Sequence, residues 1–125
     1  MTTLQPLKIL VVDDEEIVRR TLISFISEYG HRVDEADDGP SALEALEMCE
    51  YDLALVDLRM PGSNGLDLTA SMRAQCPHLS VILISGFRDD AITAHALKLG
   101  VEGFLNKPFE FLELESLLAR YAPSS

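Results

Sequence analysis

Four short apolar runs in this 125-residue chain each end on a group able to do chemistry. KILVV (8–12) runs into Asp13 and Asp14, and LALV (53–56) into Asp57. SVILI (80–84) runs into Ser85, and GFLN (103–106) into Lys107. Such runs read as buried strands, and in a parallel sheet all carboxyl ends lie along one edge, where ligand sites form. The pattern therefore predicts three carboxylates, one hydroxyl and one ammonium on a single patch. Two carboxylates ~4 Å apart at an effective dielectric of about 20 repel by roughly 4 kcal/mol. A divalent cation reverses that sign. The motifs offer only oxygen donors, without His or Cys, so a hard ion is expected, and Mg²⁺ fits best. A carboxylate, a hard cation, a hydroxyl and a lysine together suit phosphoryl transfer. Asp57 would be the nucleophile that becomes an aspartyl-phosphate, with Lys107 and Ser85 contacting the phosphoryl oxygens.

Each residue alone has a plainer explanation. The acids at 13–16 suit the N-terminus of a helix through the macrodipole. Ser85 could be a turn residue before Gly86, Lys107 a solvated charge before Pro108. The common position of these groups at strand ends favours a shared site.

Helical spacing fills the intervals between the runs. Ile17, Val18, Leu22, Phe25, Ile26 and Tyr29 recur at threes and fours and predict a helix ending at Gly30. Pro40 opens a second helix with Ala42, Leu43, Ala45 and Leu46 inward. Leu66, Leu68 and Met72 mark a third, less clearly. Ala91, Ile92, Leu97 and Leu99 mark a fourth, ending at Gly100, and Leu114, Leu117, Leu118 and Tyr121 a fifth, after Pro108. HRVDEA (31–36) is a weaker strand candidate. The order βαβαβαβαβα predicts an α/β domain built on a parallel sheet covered on both faces. Pro61 and Gly62 turn the chain away after Asp57.

Composition narrows the function. The chain is 47% hydrophobic and 25% charged, as in an ordinary globular protein, and its length fits one domain. A net charge of −11 argues against a nucleic-acid-binding face and against docking on anionic membranes. MTTLQPLK lacks the features of a signal peptide, and no apolar run reaches the length of a membrane span. Cys49 and Cys76 form neither a CxxC pair nor a metal spacing, so two reduced thiols in a cytoplasmic protein are expected. The polar tail APSS (122–125) reads as a terminus or the start of a linker.

The stretches ILVVDDEE (9–16), DLALVDLRMPGSNGLDL (52–68), VILISGF (81–87) and GVEGFLNKPF (100–109) together resemble the receiver domain of bacterial two-component response regulators. The resemblance covers nearly the whole chain, one domain with a core of about 7–121. It implies a flavodoxin-like, doubly wound five-stranded parallel sheet of order 2-1-3-4-5 with five helices. It also implies roles. Asp57 matches the phosphoacceptor, Asp14 the acid that ligates Mg²⁺ directly, and Asp13 its neighbour acting through water. The backbone carbonyl of Arg59 matches the third protein ligand. Ser85 matches the switch hydroxyl, Phe104 the switch aromatic, and Lys107 the phosphate-binding lysine, whose bond to Pro108 is expected to be cis. Arg59 and Phe87, two residues beyond Asp57 and Ser85, are candidates for tuning the lifetime of the phosphoryl group. The implied partners are a sensor histidine kinase or histidine phosphotransfer protein and an output domain or protein. The stretch VEGFLNKPFEFLELESLLARY lacks the DDY and helix charge pairs of regulators that dimerise to bind DNA.

Other readings fit less well. A Mg²⁺-dependent phosphatase of the haloacid dehalogenase type needs a second Asp at position 59, which is Arg. A flavin-phosphate module needs a hydroxyl- and glycine-rich loop after the first strand, where DDEE stands. A receiver-like module that is never phosphorylated would be signalled by loss of Asp57, Lys107 or the acid pair, and all are present.

Overall fold

A computed structural model of the chain describes residues 6–87 and 89–121. Among the described residues, seven strands and five helices follow in this order: β1 Lys8–Val12, α1 Glu16–Glu28, β2 Arg32–Ala36, α2 Gly39–Ala45, β3 Leu53–Asp57, β4 Arg59–Met60, β5 Ser63–Asn64, α3 Gly65–Gln75, β6 Ser80–Ser85, α4 Asp90–Lys98, β7 Gly103–Asn106 and α5 Phe111–Tyr121. The long strands form one parallel sheet in the order β2-β1-β3-β6-β7. With the two-residue hairpin β4–β5 set aside, this is the expected 2-1-3-4-5. That hairpin, turned at Pro61 and at Gly62 with φ +70°, was not anticipated from the sequence.

The period-2 alternation of each strand sorts its side chains between two cores. Ile9, Val11, Leu53, Leu55, Ile82, Ile84 and Leu105 face Leu22 and Ile26 of α1 and Leu114, Leu117 and Leu118 of α5. Leu10, Val12, Ala54, Val56, Val81 and Leu83 face Ala42, Leu46, Leu66, Met72 and Ala96 from the side of α2, α3 and α4. Both faces are therefore dry, which explains the near-continuous apolar strands.

Three helices open on side-chain caps. Asp38 accepts from Ser41 N–H at 2.8 Å, Asn64 from Leu66 N–H at 2.8 Å and Asp89 from Ile92 N–H at 2.8 Å. Four expected apolar markers, Ile17, Tyr29, Ala91 and Leu97, face water instead. Ile17 is 80% exposed because, at 100° per residue, it lies about 140° around α1 from Leu22. Leu97 is 58% exposed, and Ala96 is the residue of α4 that is buried. Tyr29 follows α1 as its C-cap and is also exposed. The tail 122–125 and the side chain of Tyr121 lie outside the described residues.

The cysteines correct the sequence reading. Cys49 and Cys76 are joined in a disulfide, with Cα atoms 5.5 Å apart, rather than being two free thiols. Cys49 lies beyond α2 and Cys76 caps α3, and these helices cover the same face of the sheet. The pair is 27 residues apart in sequence, so no spacing motif announces it.

Candidate functional site at the carboxyl edge of the sheet

β1 pairs with both β2 and β3, so the chain reverses its winding between β1 and β3. This switch point is where open α/β sheets bind ligands. β1 delivers Asp13 there, and β3 delivers Asp57. β6 brings Ser85, and the Lys107 N–H donates to the Ser85 carbonyl at 2.9 Å, tying the ends of β6 and β7 together. Lys107–Pro108 is cis, as expected.

The charged groups meet closely. Lys107 Nζ lies 3.1 Å from Asp13 Oδ2, 3.2 Å from Asp57 Oδ2 and 3.2 Å from Glu15 Oε1. Asp13 and Asp57 are buried, whereas Asp14 and Glu15 face solvent. Carboxylate oxygens of Asp13, Asp14, Glu15 and Asp57 all lie within 4.8 Å of one another. Two main-chain donors shape the group: Arg59 N–H donates to Asp57 Oδ1 at 3.1 Å, and Glu15 N–H to Asp13 Oδ1 at 2.8 Å. Arg19, paired with Glu35 at 2.7 Å, donates to the Asp13 carbonyl and steadies the strand end from behind.

Burial pushes the Asp57 carboxyl up to about 6, and repulsion from Asp13 adds to it. The Arg59 N–H and Lys107 pull the other way without restoring the ordinary value. For Lys107, burial opposes the charge, but Asp13, Asp57 and Glu15 outweigh it and raise its pKa.

Ser85 is buried, and its hydroxyl donates to the Phe87 carbonyl at 2.6 Å while accepting from Phe87 N–H at 3.1 Å. Phe104 is half-buried against the α2–α4 core. Phe87 is 64% exposed, and the Arg59 guanidinium lies 5.7 Å from its ring centroid. An open cleft of about 290 Å³ is lined by Glu15, Asp57, Leu58, Arg59, Ser85, Gly86, Phe87 and Lys107. A larger groove, about 590 Å³, lies at Phe25 and Phe111 and holds no acid–lysine cluster.

Asp13, Asp14, Asp57, Ser85 and Lys107 thus meet at one edge, with Arg59 and Phe87 lining the same cleft, while Phe104 packs against the α2–α4 core. Glu15 is the site residue that strand-end reasoning missed. Its only signal was its place in the acid run, read there as helix-dipole chemistry.

The fold and this edge define a receiver-type signalling domain. A family model described as "Response regulator receiver domain" matches residues 9–119, and the chain belongs to that family. It is 35% identical over 112 residues to the two-component response regulator PhoP of Pseudomonas aeruginosa, covering 90% of this chain and 50% of that protein. It is 35% identical over 115 residues to the chemotaxis protein CheY-3 of Vibrio cholerae, covering 90% of this chain and 88% of that one. The solved receiver domain of NtrX from Brucella abortus superposes with a TM-score of 0.83 at 34% identity, covering 90% of this chain and 96% of that chain. The chain spans about half the length of several curated relatives. Among the described residues, no helix is long and apolar enough to cross a membrane.

Proposed function

We propose that this chain is a single receiver domain that accepts a phosphoryl group on Asp57 and changes shape in response. The observation that carries the reading is the buried Asp57 carboxylate, 3.2 Å from Lys107 and within 4.8 Å of three acids of the β1–α1 segment, at the sheet's switch point. A carboxyl raised to about 6 is mostly ionised at pH 7, which suits it as a nucleophile. An Asp57 oxygen attacks phosphorus, and the bond from phosphorus to the donor breaks. A phosphohistidine on a sensor kinase or phosphotransfer protein is the donor, which goes with a cytoplasmic setting.

A hard cation fits the donor set. Asp13 Oδ2 is fully buried and makes no hydrogen bond of good geometry, only an ion pair with Lys107 at 3.1 Å, and the neighbouring candidate ligand atoms are all carboxylate oxygens. Asp13, Asp14, Asp57 and the Arg59 carbonyl would hold Mg²⁺. When bound, the ion would supply the positive charge that makes an incoming anionic group tolerable beside these acids. Lys107 then shifts from the carboxylates to a phosphoryl oxygen. The Ser85 hydroxyl leaves the Phe87 carbonyl to donate to another, and Phe104 turns inward into the vacated space. The repacked face at α4 and β7 is what an output partner reads. Arg59 and Phe87, stacked over the mouth, slow the approach of hydrolytic water.

Incubation with a small-molecule phosphodonor, with and without Mg²⁺, followed by intact-mass measurement tests the reading. One acid-stable, base-labile adduct is expected, absent in Asp57→Asn. No adduct under any condition would overturn it. Decay of the same adduct should be faster in Phe87→Glu if the stacked pair shields it. The phosphatase alternative gains no support, since Arg59 stands where its second Asp is required.

A further inference from the structure

We propose that Cys49 and Cys76 form a reversible thiol–disulfide site, opened by low-molecular-weight thiols and closed by their disulfides. It sets how firmly residues 49–76 are held without entering the chemistry at Asp57. Three observations carry this. The two residues differ in exposure, since Cys49 is exposed while Cys76 is only 4% exposed. A small thiol therefore reaches one end of the bond.

Each sulfur also has a carbonyl oxygen beside it. Cys49 Sγ lies 3.3 Å from the Gln75 oxygen, and Cys76 Sγ lies 3.2 Å from the Leu46 oxygen. A disulfide has no S–H to give them. Once reduced, each thiol finds an acceptor already in place, so one backbone accommodates both redox states. Finally, one apolar core contains neither cysteine and the other takes Cys76 as one member among many, and a domain of this length does not need a staple. The bridge is thus free to open.

The bridge closes a segment that contains β3, Asp57, the β4–β5 hairpin and α3. It does so at the edge opposite the candidate site, since Cys49 precedes β3 while Asp57 ends it. Reduction begins when a small thiolate attacks Cys49 Sγ. The S–S electron pair leaves with Cys76 sulfur, which takes a proton and donates to the Leu46 carbonyl. A second thiolate attacks the small-molecule sulfur of the mixed disulfide and releases the Cys49 thiol. Two small thiols are oxidised to one disulfide as the protein bond gains two electrons, and the reverse sequence restores it.

The test equilibrates the purified chain across a series of reduced-to-oxidised glutathione ratios. Alkylation and intact mass then count free thiols, and circular dichroism follows melting. One reversible transition between zero and two alkylations is expected. Cooperative melting should appear at both extremes, with the reduced form lower by on the order of 10 °C. The double variant Cys49→Ser/Cys76→Ser should melt like the reduced form and take the Asp57 adduct at the rate of the oxidised chain. A reduced chain without a cooperative transition would overturn the proposal, as would failure to re-form the bridge. A redox-dependent adduct rate would overturn its separation from Asp57. Thiol counting and melting stand by themselves whether or not Asp57 accepts a phosphoryl group.

Discussion

Asp57 sits under opposing forces, and their balance has a measurable sign. Burial holds its carboxyl at about 6, above the ordinary carboxylate value, despite Lys107 at 3.2 Å. The folded chain therefore grips this proton more tightly than the unfolded chain. The resulting stability is fully present below about pH 4 and is lost as pH rises through about 6. At pH 7 the bare carboxylate weakens the fold by about 1–3 kcal/mol. Asp57→Asn should accordingly melt higher than the parent at pH 7 in the presence of a chelator, and the gain should vanish near pH 4. A lower melting temperature for the variant at pH 7 would mean that the ion pair with Lys107 outweighs burial. The position of Asp57 was legible because an apolar run stops at it. The reach of Glu15 to Lys107 was not, since it depends on how the first turn of α1 meets the β7–α5 loop, 92 residues away.

Elements place these residues through close backbone approaches. α3 begins at Gly65, where an added Cβ would lie 2.7 Å from the Asp57 carbonyl oxygen and 2.7 Å from Leu58 Cα. Both are backbone atoms and cannot swing aside. Gly65→Ala should destabilise the chain by about 2–3 kcal/mol, read by denaturant unfolding, because the β3–α3 junction must move. Loss of less than about 0.5 kcal/mol would show that the junction is plastic. Strands were easier to read than helices here. Period 2 assigns Ile9 and Leu10 to opposite cores directly, whereas helix markers depend on angular position. That is why Leu22 and Ile26 were placed correctly while Ile17 and Leu97 were not: an apolar residue near a stripe is not necessarily on it.

For the molecule as a whole, the acidic edge is one local concentration of a net charge of −11. A ligand that binds only the folded state stabilises it by mass action. Millimolar Mg²⁺ should therefore raise the melting temperature, and Asp57→Asn should blunt the rise. An equal rise in both, or none, would count against a cation held by Asp57. The parallel fold and the shared edge could be derived from where four apolar runs stop, since strand direction alone brings those ends together. The disulfide could not, because it joins two loops whose nearness depends on how α2 and α3 lie side by side on the sheet.

That bridge also changes how the chain behaves as a string. With Cys49 and Cys76 joined, a pull on the two termini cannot extend the 27-residue separation between them, a length of roughly 90 Å. An unfolding machine that threads substrates through a narrow pore would meet a closed ring containing Asp57 and would have to draw two strands through together. Opening the ring returns the molecule to a single thread.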